Sequence, residues 1–480
     1  MAERTAPAPA RNRWTLLAVI SIGTLSSTLD GGIVSVAYPA LARAFSAGTS
    51  TVLWVTVAYW VTAVGLLLTL GWVGDVVGRR RVFAAGLAVF AAGVLLSGLS
   101  ATIWQLIAFR VLQGVGSAMV LSNLNALITT NFPARDRGKA LGVSGAIVGV
   151  GLTAGPLLGG FLLEVLDWRA VFYSRAPISA AGAVLAWWLL PADQVAKGRF
   201  RVDFIGATAL FGALASILLV VNQGGRLGFT SGPVLVLAIV AAVCLPVLAW
   251  SERRSVRPIL EVGLIRSRQY TLSLLVLASH YLAQGGIILV APFFLLDSMG
   301  FSAAKMGLFI AAFSMGRTFL APLAGRLSDT FGPRPFLVLG NTLLAVALFW
   351  LSRQGMGASD WALFSGLLLA SAGSSFFEPV VTSSIMGSVP QDRAGTASAS
   401  VALGRQTAFA VGVTVAGAIF TIRQRVYELG SVAAGLDSGS ANAEAIARAF
   451  GDTVLAGAVI AAIAVAFSLA TRGRPAEPGL

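Results

Sequence analysis

Long apolar stretches recur along the whole chain, each of about 20 residues. A helix of about 20 residues crosses the hydrocarbon core of a bilayer, which is about 30 Å thick. Lipid chains offer no hydrogen-bond partners, and a helix pairs its backbone groups within its own segment. We therefore predict an all-α integral membrane protein with fourteen transmembrane helices, near residues 14–38, 51–74, 82–100, 103–128, 140–163, 171–190, 204–221, 232–250, 270–296, 303–324, 335–352, 360–386, 397–421 and 452–471.

Composition and charge agree with a lipid environment. Of the 480 residues, 56% are hydrophobic and 11% are charged, whereas soluble domains contain about 25% charged residues. The formal net charge is +14, but the Lys and Arg residues are scattered through short loops without interleaved aromatic residues, so we expect no nucleic-acid partner. These basic residues concentrate in the loops on one side of the predicted spans. Because short basic loops stay in the cytoplasm, we predict a multi-pass protein of the inner (plasma) membrane with both termini cytoplasmic.

The sequence lacks the motifs of several other protein classes. It has no Walker loop and no His and Cys residues at metal-ligand spacing. Its single cysteine, Cys244, cannot form a disulfide within the chain. We therefore expect neither an enzyme nor an ATP-driven pump, and no cofactor or metal. A monomer is compatible with these features, and the sequence leaves the oligomeric state open.

Two loop sequences occur twice. GWVGDVVGRRR from Gly71 recurs as GRLSDTFGPRP from Gly325, and PARDRGKA from Pro133 recurs as PQDRAGTA from Pro390. Each pair joins corresponding spans, which indicates two related bundles of six helices, residues 1–190 and 270–480. Residues 191–269 then contain two inserted helices and their linkers. Related halves of this kind place a substrate site between them near the bilayer midplane.

Several segments resemble motifs of the major facilitator superfamily. GDVVGRRR resembles its signature loop, GLTAGPLLGG in the fifth span fits the antiporter motif GxxxGPxxGG, and FRVLQGVGSAM in the fourth resembles RxxQG. LDGGIVSVAYPAL and WRAVFYSRAPI resemble motifs of the fourteen-span drug-proton antiporters, the EmrB/QacA type. The resemblance implies export driven by the proton-motive force, with a small-molecule substrate, protons and the lipid bilayer as partners. Arg175 replaces an Asn of this pattern and Gly32 replaces a Thr, so the substrate does not follow from the resemblance.

Two of these motifs supply residues with expected mechanical roles. Carboxylate and guanidinium groups at a span end can pair between helices and hold the cytoplasmic side shut. Glycines at four-residue spacing share one helix face, where backbones can approach closely. We expect a cytoplasmic gate at Gly71, Asp75, Gly78, Arg79, Arg80 and Asp329. We expect the antiporter motif at Gly151, Gly155, Pro156, Gly159 and Gly160.

Charged residues inside the spans are the sharpest candidates for a transport site, because an ionised group there is costly unless it is paired or hydrated. Asp30 and Arg110 are predicted to lie at similar depth on the first and fourth spans, with Gln113 on the same face as Arg110. Either Asp30 takes up and releases the transported proton, or it forms a permanent ion pair.

A second group of candidates lies in the second half. Glu378 follows a stripe of serines on the twelfth span, and it is either part of the substrate site or a partner of Arg405 or Arg317. His280, the only histidine, either contacts substrate or forms an ordinary hydrogen bond between helices. Two functions remain open: proton-coupled efflux of amphipathic, often cationic compounds, or export of one specific, anionic metabolite, which the four intramembrane arginines favour.

Overall fold

The computed structural model describes residues 13–132, 134–191, 204–228, 230–254, 264, 267–389, 394–434 and 437–471, and the part of the chain in these ranges is almost entirely helical. The first half contains α1 (Arg13–Ser35), α2 (Tyr38–Ala44), α3 (Thr49–Val77), α4 (Arg79–Leu99), α5 (Ile103–Asn131), α6 (Ala134–Val165), α7 (Trp168–Tyr173) and α8 (Ala176–Leu189). Two helices follow, α9 (Phe204–Leu227) and α10 (Gly232–Arg254). The second half contains α11 (Arg268–Phe293), a π-helical turn (Phe294–Ser298), α12 (Ala303–Phe331), α13 (Pro333–Ser352), α14 (Asp360–Met386), α15 (Ala394–Ala433) and α16 (Ser438–Leu469).

Twelve of the helical segments in the described residues are long and apolar enough to cross a membrane. The predicted sixth and seventh spans are not among them. The sixth is divided between α7 and the 14-residue α8, and the described apolar part of α9 covers only Thr208–Val221. The membrane-spanning helical fold is thus confirmed, whereas the number fourteen stays a prediction at these two segments.

The two halves repeat the same packing pattern. In the first half α4 packs on α5 and α8, α3 packs on α5, and α1 packs on α6. The second half has the equivalent pairs: α13 on α14 and α16, α12 on α14, and α11 on α15. The repeated loop sequence also folds alike. Gly78 and Gly332 both have positive φ, 117° and 81°, which permits a sharp turn from one long helix directly into the next.

Hydrophobic packing differs between the two ends of the molecule. We call the end near Arg13 and Thr471 the terminal end, and the opposite end the distal end. At the distal end one hydrophobic cluster includes residues of both halves, for example Tyr38 and Phe293, whose rings stack at 6.0 Å. At the terminal end each half has its own cluster. The halves are therefore packed against each other distally, whereas at the terminal end the hydrophobic clusters of the described residues stay within each half.

The last two spans extend further than the sequence predicts. Residues 422–451 are rich in Ser, Ala and Gly, a composition that also occurs in loops, yet nearly all of the described residues in this segment are helical. Helix α15 continues to Ala433, and α16 begins at Ser438. Alanine has the highest helix propensity, and Asp437 caps α16 by accepting hydrogen bonds from Gly439 N and Ser440 N. A hydrogen bond from the Ser440 side chain, together with these backbone bonds, lowers the pKa of Asp437.

Helices α9 and α10, the inserted pair, pack mainly on each other, and α9 also packs on α3 and α15. They therefore lie beside the seam at which the two halves meet. An added Cβ at Gly65 of α3 would lie 2.3 Å from Phe211 of α9, which shows how closely this helix approaches.

Candidate substrate and ion-binding site

Asp30 lies at the centre of a buried ion cluster in the first half. Its Oδ1 accepts hydrogen bonds from Arg110 Nη1 at 2.8 Å and from Gln113 Nε2 at 2.7 Å, both on α5. Arg110 is fixed in turn by Val55 O, which accepts from its Nε at 2.9 Å. Arg175 also donates to Asp30 Oδ1. The structure thus brings Asp30, Arg110 and Gln113 together and adds a second arginine.

The position of Arg175 follows from a break in the predicted sixth span. Helix α7 ends at Tyr173, and α8 begins at Ala176 with a proline in its first turn. The interruption directs the Arg175 side chain to Asp30, while Arg175 Nε donates to Val171 O at 3.2 Å. The sequence indicates only that an arginine lies near this span. Which helices it meets depends on tertiary packing.

Burial of this cluster is complete. Asp30 has 0% of its surface exposed, and Arg110 and Arg175 have 1% each. Two guanidinium groups and one carboxylate give a net charge of +1. Asp30 Oδ2 and Arg175 Nη2 make no hydrogen bond within the described part of the chain. The guanidinium of Arg110 lies 4.3 Å from the centre of the Tyr59 ring, which adds a cation–π contact.

A second acidic cluster lies in the second half. Tyr281 of α11 donates a hydrogen bond to Glu378 Oε1 on α14 at 2.6 Å. Arg405 Nη1 on α15 lies 3.4 Å from the same oxygen. One turn beyond Arg405, Phe409 contacts Trp60 of the first half, with ring centres 5.4 Å apart. This face of α15 therefore points toward the first half, and the Glu378 cluster lies about one helical turn from this contact between the halves.

Exposure separates the second cluster from the first. The side chain of Glu378 is 27% exposed, and that of Arg405 is 42% exposed. Of the two partners that the sequence left open for Glu378, the structure places Arg405 beside it. The side chain of the other, Arg317, lies outside the described residues.

His280 lies beside this cluster but is buried between helices. Its Nδ1 lies 2.8 Å from Asn341 Oδ1 on α13, and its ring stacks on Phe377 at 3.8 Å. Asn341 donates in turn to Ser468 Oγ of α16 at 3.0 Å. Gln284, one turn from His280, donates to Ser374 Oγ at 2.8 Å. These contacts join four helices of the second half and match an interhelical structural role for the histidine.

The predicted gate residues lie at the terminal end. Arg79 Nε of α4 donates to Asp75 Oδ1 of α3 at 2.9 Å, so the carboxylate and guanidinium pair across the α3–α4 turn. Arg80 donates to Trp187 O of α8. At Gly71, an added Cβ would lie 3.3 Å from Ser122 on α5. These contacts all lie within the first half, and the side chain of Asp329 is outside the described residues.

The glycines of the antiporter motif divide between two partners. Added Cβ atoms at Gly151, Gly155 and Gly159 would lie within 2.1–2.9 Å of α1 atoms. Gly160 instead faces the second half, where an added Cβ would lie 2.5 Å from Ala303 O. At Gly307 of α12, an added Cβ would lie 2.3 Å from the carbonyl oxygen of Pro156. One side of α6 therefore packs within its own half, while the other forms the distal seam between the halves.

Comparisons with known proteins agree with this architecture. The family model of the Major Facilitator Superfamily matches residues 20–272 and 273–424. The multidrug resistance protein Stp of Mycobacterium tuberculosis (strain H37Rv) is 30% identical over 85% of this chain and 76% of its own length. The riboflavin transporter RibZ of Clostridioides difficile (strain 630) is 28% identical over 85% of this chain and 89% of its own.

Solved structures show the same fold at lower identity. A bacterial homologue of the human lysosomal transporter Spinster superposes with a TM-score of 0.69 at 15% identity, covering 96% of this chain and 97% of the other. Its crystal structure is of an inward-facing, unoccupied conformation. The match of the family model over most of the chain, together with the equivalent helix pairs of the two halves, shows that the chain belongs to the Major Facilitator Superfamily of membrane transporters.

Proposed function

We propose that the protein exports small amphipathic compounds across the inner (plasma) membrane in exchange for protons. The observation that supports this most directly is the Glu378 cluster. A carboxylate with an arginine and a tyrosine partner lies beside the aromatic pair of Trp60 and Phe409, through which the two halves touch. A carboxylate there can hold a proton or a polar group of a substrate, and the rings can pack on its apolar part. The relatives include the multidrug export protein EmrB of Escherichia coli (strain K12), 28% identical over 85% of this chain and 80% of that protein.

The direct test is transport by purified protein in proteoliposomes. An imposed proton gradient should drive accumulation of ethidium, a cationic aromatic dye, and ethidium addition should move protons the opposite way. A protonophore should abolish both movements. Ethidium movement that is unaffected by the protonophore would contradict proton coupling.

The proposed direction of export requires that the terminal end face the cytoplasm. The excess of Lys and Arg in the loops of that end supports this orientation. Reporter fusions after Leu480 and at Gly430 test it, since the first should be cytoplasmic and the second external. The opposite pattern would reverse the assignment of the two ends.

A second candidate function is export of one anionic metabolite. Away from the ends of the predicted spans, the charged side chains of the described residues include three arginines, Arg110, Arg175 and Arg405, but only two acids, Asp30 and Glu378. A probable actinorhodin transporter of Streptomyces coelicolor (strain M145) is also similar, 30% identical over 86% of this chain and 73% of that protein. Replacing ethidium by fluorescein, an organic anion, in the same proteoliposomes distinguishes the two functions.

A further inference from the structure

We propose that Glu164 is an electrostatic latch: its carboxylate, at the end of α6 in the first half, holds the first turn of α12 in the second half and so favours distal packing of the halves. Glu164 Oε2 accepts a hydrogen bond from Ala304 N at 3.1 Å. The residue lies just beyond the antiporter motif, which ends at Gly160. The latch acts on the two halves themselves, whichever compound the protein exports.

Each of the two helix ends carries a charge that its own dipole disfavours. A helix has a partial positive charge at its N-terminus and a partial negative charge at its C-terminus. Helix α6 ends at Val165, so Glu164 lies in its last turn, which contains no basic residue. Helix α12 begins at Ala303, and its first turn contains Lys305 but no acidic residue. A carboxylate at residue 164 is therefore unfavourable for its own helix and favourable for the start of α12.

The first turn of α12 also has a donor that its own half does not satisfy. Ser302 Oγ accepts from Lys305 N at 3.3 Å, but Ala304 N has no acceptor within the helix, since the first N–H groups of a helix lack one. Lys305 is engaged within the second half, where its Nζ lies 2.7 Å from Asp360 Oδ2. Glu164 therefore supplies an acceptor and a negative charge together, from the other half.

Close backbone packing makes this contact specific to the distally packed state. Gly160 lies one turn before Glu164, and an added Cβ there would lie 2.5 Å from Ala303 O. At Gly307, an added Cβ would lie 2.3 Å from Pro156 O. The Glu164 carboxylate reaches α12 because the two helices approach this closely. Alternating access moves the halves largely as rigid bodies, so separation of the distal end breaks the contact.

A second polar contact joins the halves distally but is a weaker candidate for a latch. Arg43 Nη1 lies 3.7 Å from Asp297 Oδ1, and the Arg43 side chain is 65% exposed. Such a pair must order two side chains in water and contributes little. Glu164 bonds to an N–H that the helix already fixes, so only one side chain is ordered. Because Glu164 is itself exposed, its contribution should be moderate and sensitive to salt.

The test measures how often the distal end of the purified full-length protein opens in detergent. In a Cys244→Ser background, Phe293→Cys places a thiol at a residue that is 2% exposed and stacks on Tyr38 of the first half. A charged thiol reagent reacts with a buried thiol in proportion to the fraction of open molecules when opening and closing are fast. Glu164→Gln keeps an acceptor but loses the charge, and it should raise the rate roughly 2-fold to 5-fold. Glu164→Lys should raise it further.

The matched control is Glu444→Gln, which removes a distal acid that is paired with Arg448 on α16. It makes the same change of charge away from the contact with α12, and it should leave the rate unchanged. Salt distinguishes charge from packing, because the Debye length falls to about 3 Å at about 1 M salt. The ratio of rates between Glu164→Gln and wild type should therefore shrink toward one at that concentration.

A second reporter leaves the seam unaltered. Ala101 and Gly355 are exposed residues in the loops after α4 and α13, in different halves at the distal end. Spin labels there should show longer distances in Glu164→Lys than in wild type by double electron–electron resonance.

Unchanged distances in Glu164→Lys, or equal labelling rates in wild type, Glu164→Gln and Glu164→Lys, overturn the latch. An equal rise in Glu444→Gln overturns it as well, since the effect would then come from distal charge in general. A ratio of rates that high salt leaves unchanged would show that Glu164 acts through packing alone.

Discussion

The two acidic clusters contain the same kinds of groups in opposite surroundings. Asp30 accepts from Arg110, Arg175 and Gln113 in a fully buried site. Glu378 accepts from Tyr281 and lies beside Arg405 in a partly exposed site. Residue type alone therefore does not identify a transport site within the membrane.

Surroundings determine what each cluster can do. A buried ion pair is costly to break, because removing one partner leaves an uncompensated charge. An exposed ion pair is weak, because water screens it and solvates the separated partners. The first property suits a group that fixes α1 to α5 and α8. The second suits a group that changes its protonation state during each transport cycle.

The largest expected effect is on stability in the buried cluster. Asp30→Asn leaves Arg110 and Arg175 without a carboxylate, and we expect it to destabilise the protein by about 3–5 kcal/mol. Denaturation of the detergent-solubilised protein, followed by circular dichroism, measures this. The double variant D30N/R175N should recover a large part of the loss because one buried charge leaves with the carboxylate. Equal stability of wild type and Asp30→Asn would show that the cluster is hydrated, and the contrast between the clusters would then fail.

A second prediction concerns the seam that closes the distal end. Gly160→Leu adds a side chain at a position where the Cβ atom alone would lie 2.5 Å from Ala303 O. Overpacking of this kind costs about 1–3 kcal/mol, which lowers the population of the closed state relative to the open one by roughly 5-fold to 150-fold. Gly145→Leu on the same helix is the matched control, since nothing lies within 4 Å of an added Cβ there.

Cross-linking across the distal end reports the population of the closed state. Arg43 Nη1 and Asp297 Oδ1 belong to different halves and lie 3.7 Å apart. Cysteines at these positions, in a Cys244→Ser background, should therefore be joined in high yield by a bifunctional thiol reagent about as long as an arginine side chain. Gly160→Leu should lower the yield, and Gly145→Leu should not. An unchanged yield in Gly160→Leu would show that α6 does not form the distal closure.

Much of the fold follows from the sequence because its signals are local. Apolar length predicts the spans, and the recurring loops from Gly71 and Gly325 predict two halves with equivalent helix pairs. Positive φ at Gly78 and Gly332 fits the repeat of those loops. The sequence underestimates the lengths of α15 and α16. A segment rich in Ser, Ala and Gly resembles a loop, although alanine also favours helices.

The candidate site was predictable only in part. Depth along a span suggests that Asp30 and Arg110 can meet, because helical rise is constant. The same reasoning cannot show that Arg175 reaches Asp30, since that contact depends on a break between α7 and α8 and on how the helices pack. Exposure is also a tertiary property. The difference between Asp30 and Glu378 therefore became visible only in the folded protein.

The smallest expected effect concerns the contribution of the Glu378 cluster to stability. It is the sharpest test of the difference between the Glu378 and Asp30 clusters. Glu378→Gln removes a charge whose arginine partner is 42% exposed, and exposed pairs contribute about 0–1 kcal/mol. The glutamine oxygen can still accept the hydrogen bond from Tyr281, so the neutral side chain keeps its stronger contact. We therefore expect a loss of less than about 1 kcal/mol in the assay used for Asp30→Asn. A loss as large as that of Asp30→Asn would mean that Glu378 is also a structural ion, and proton exchange would then require a different group.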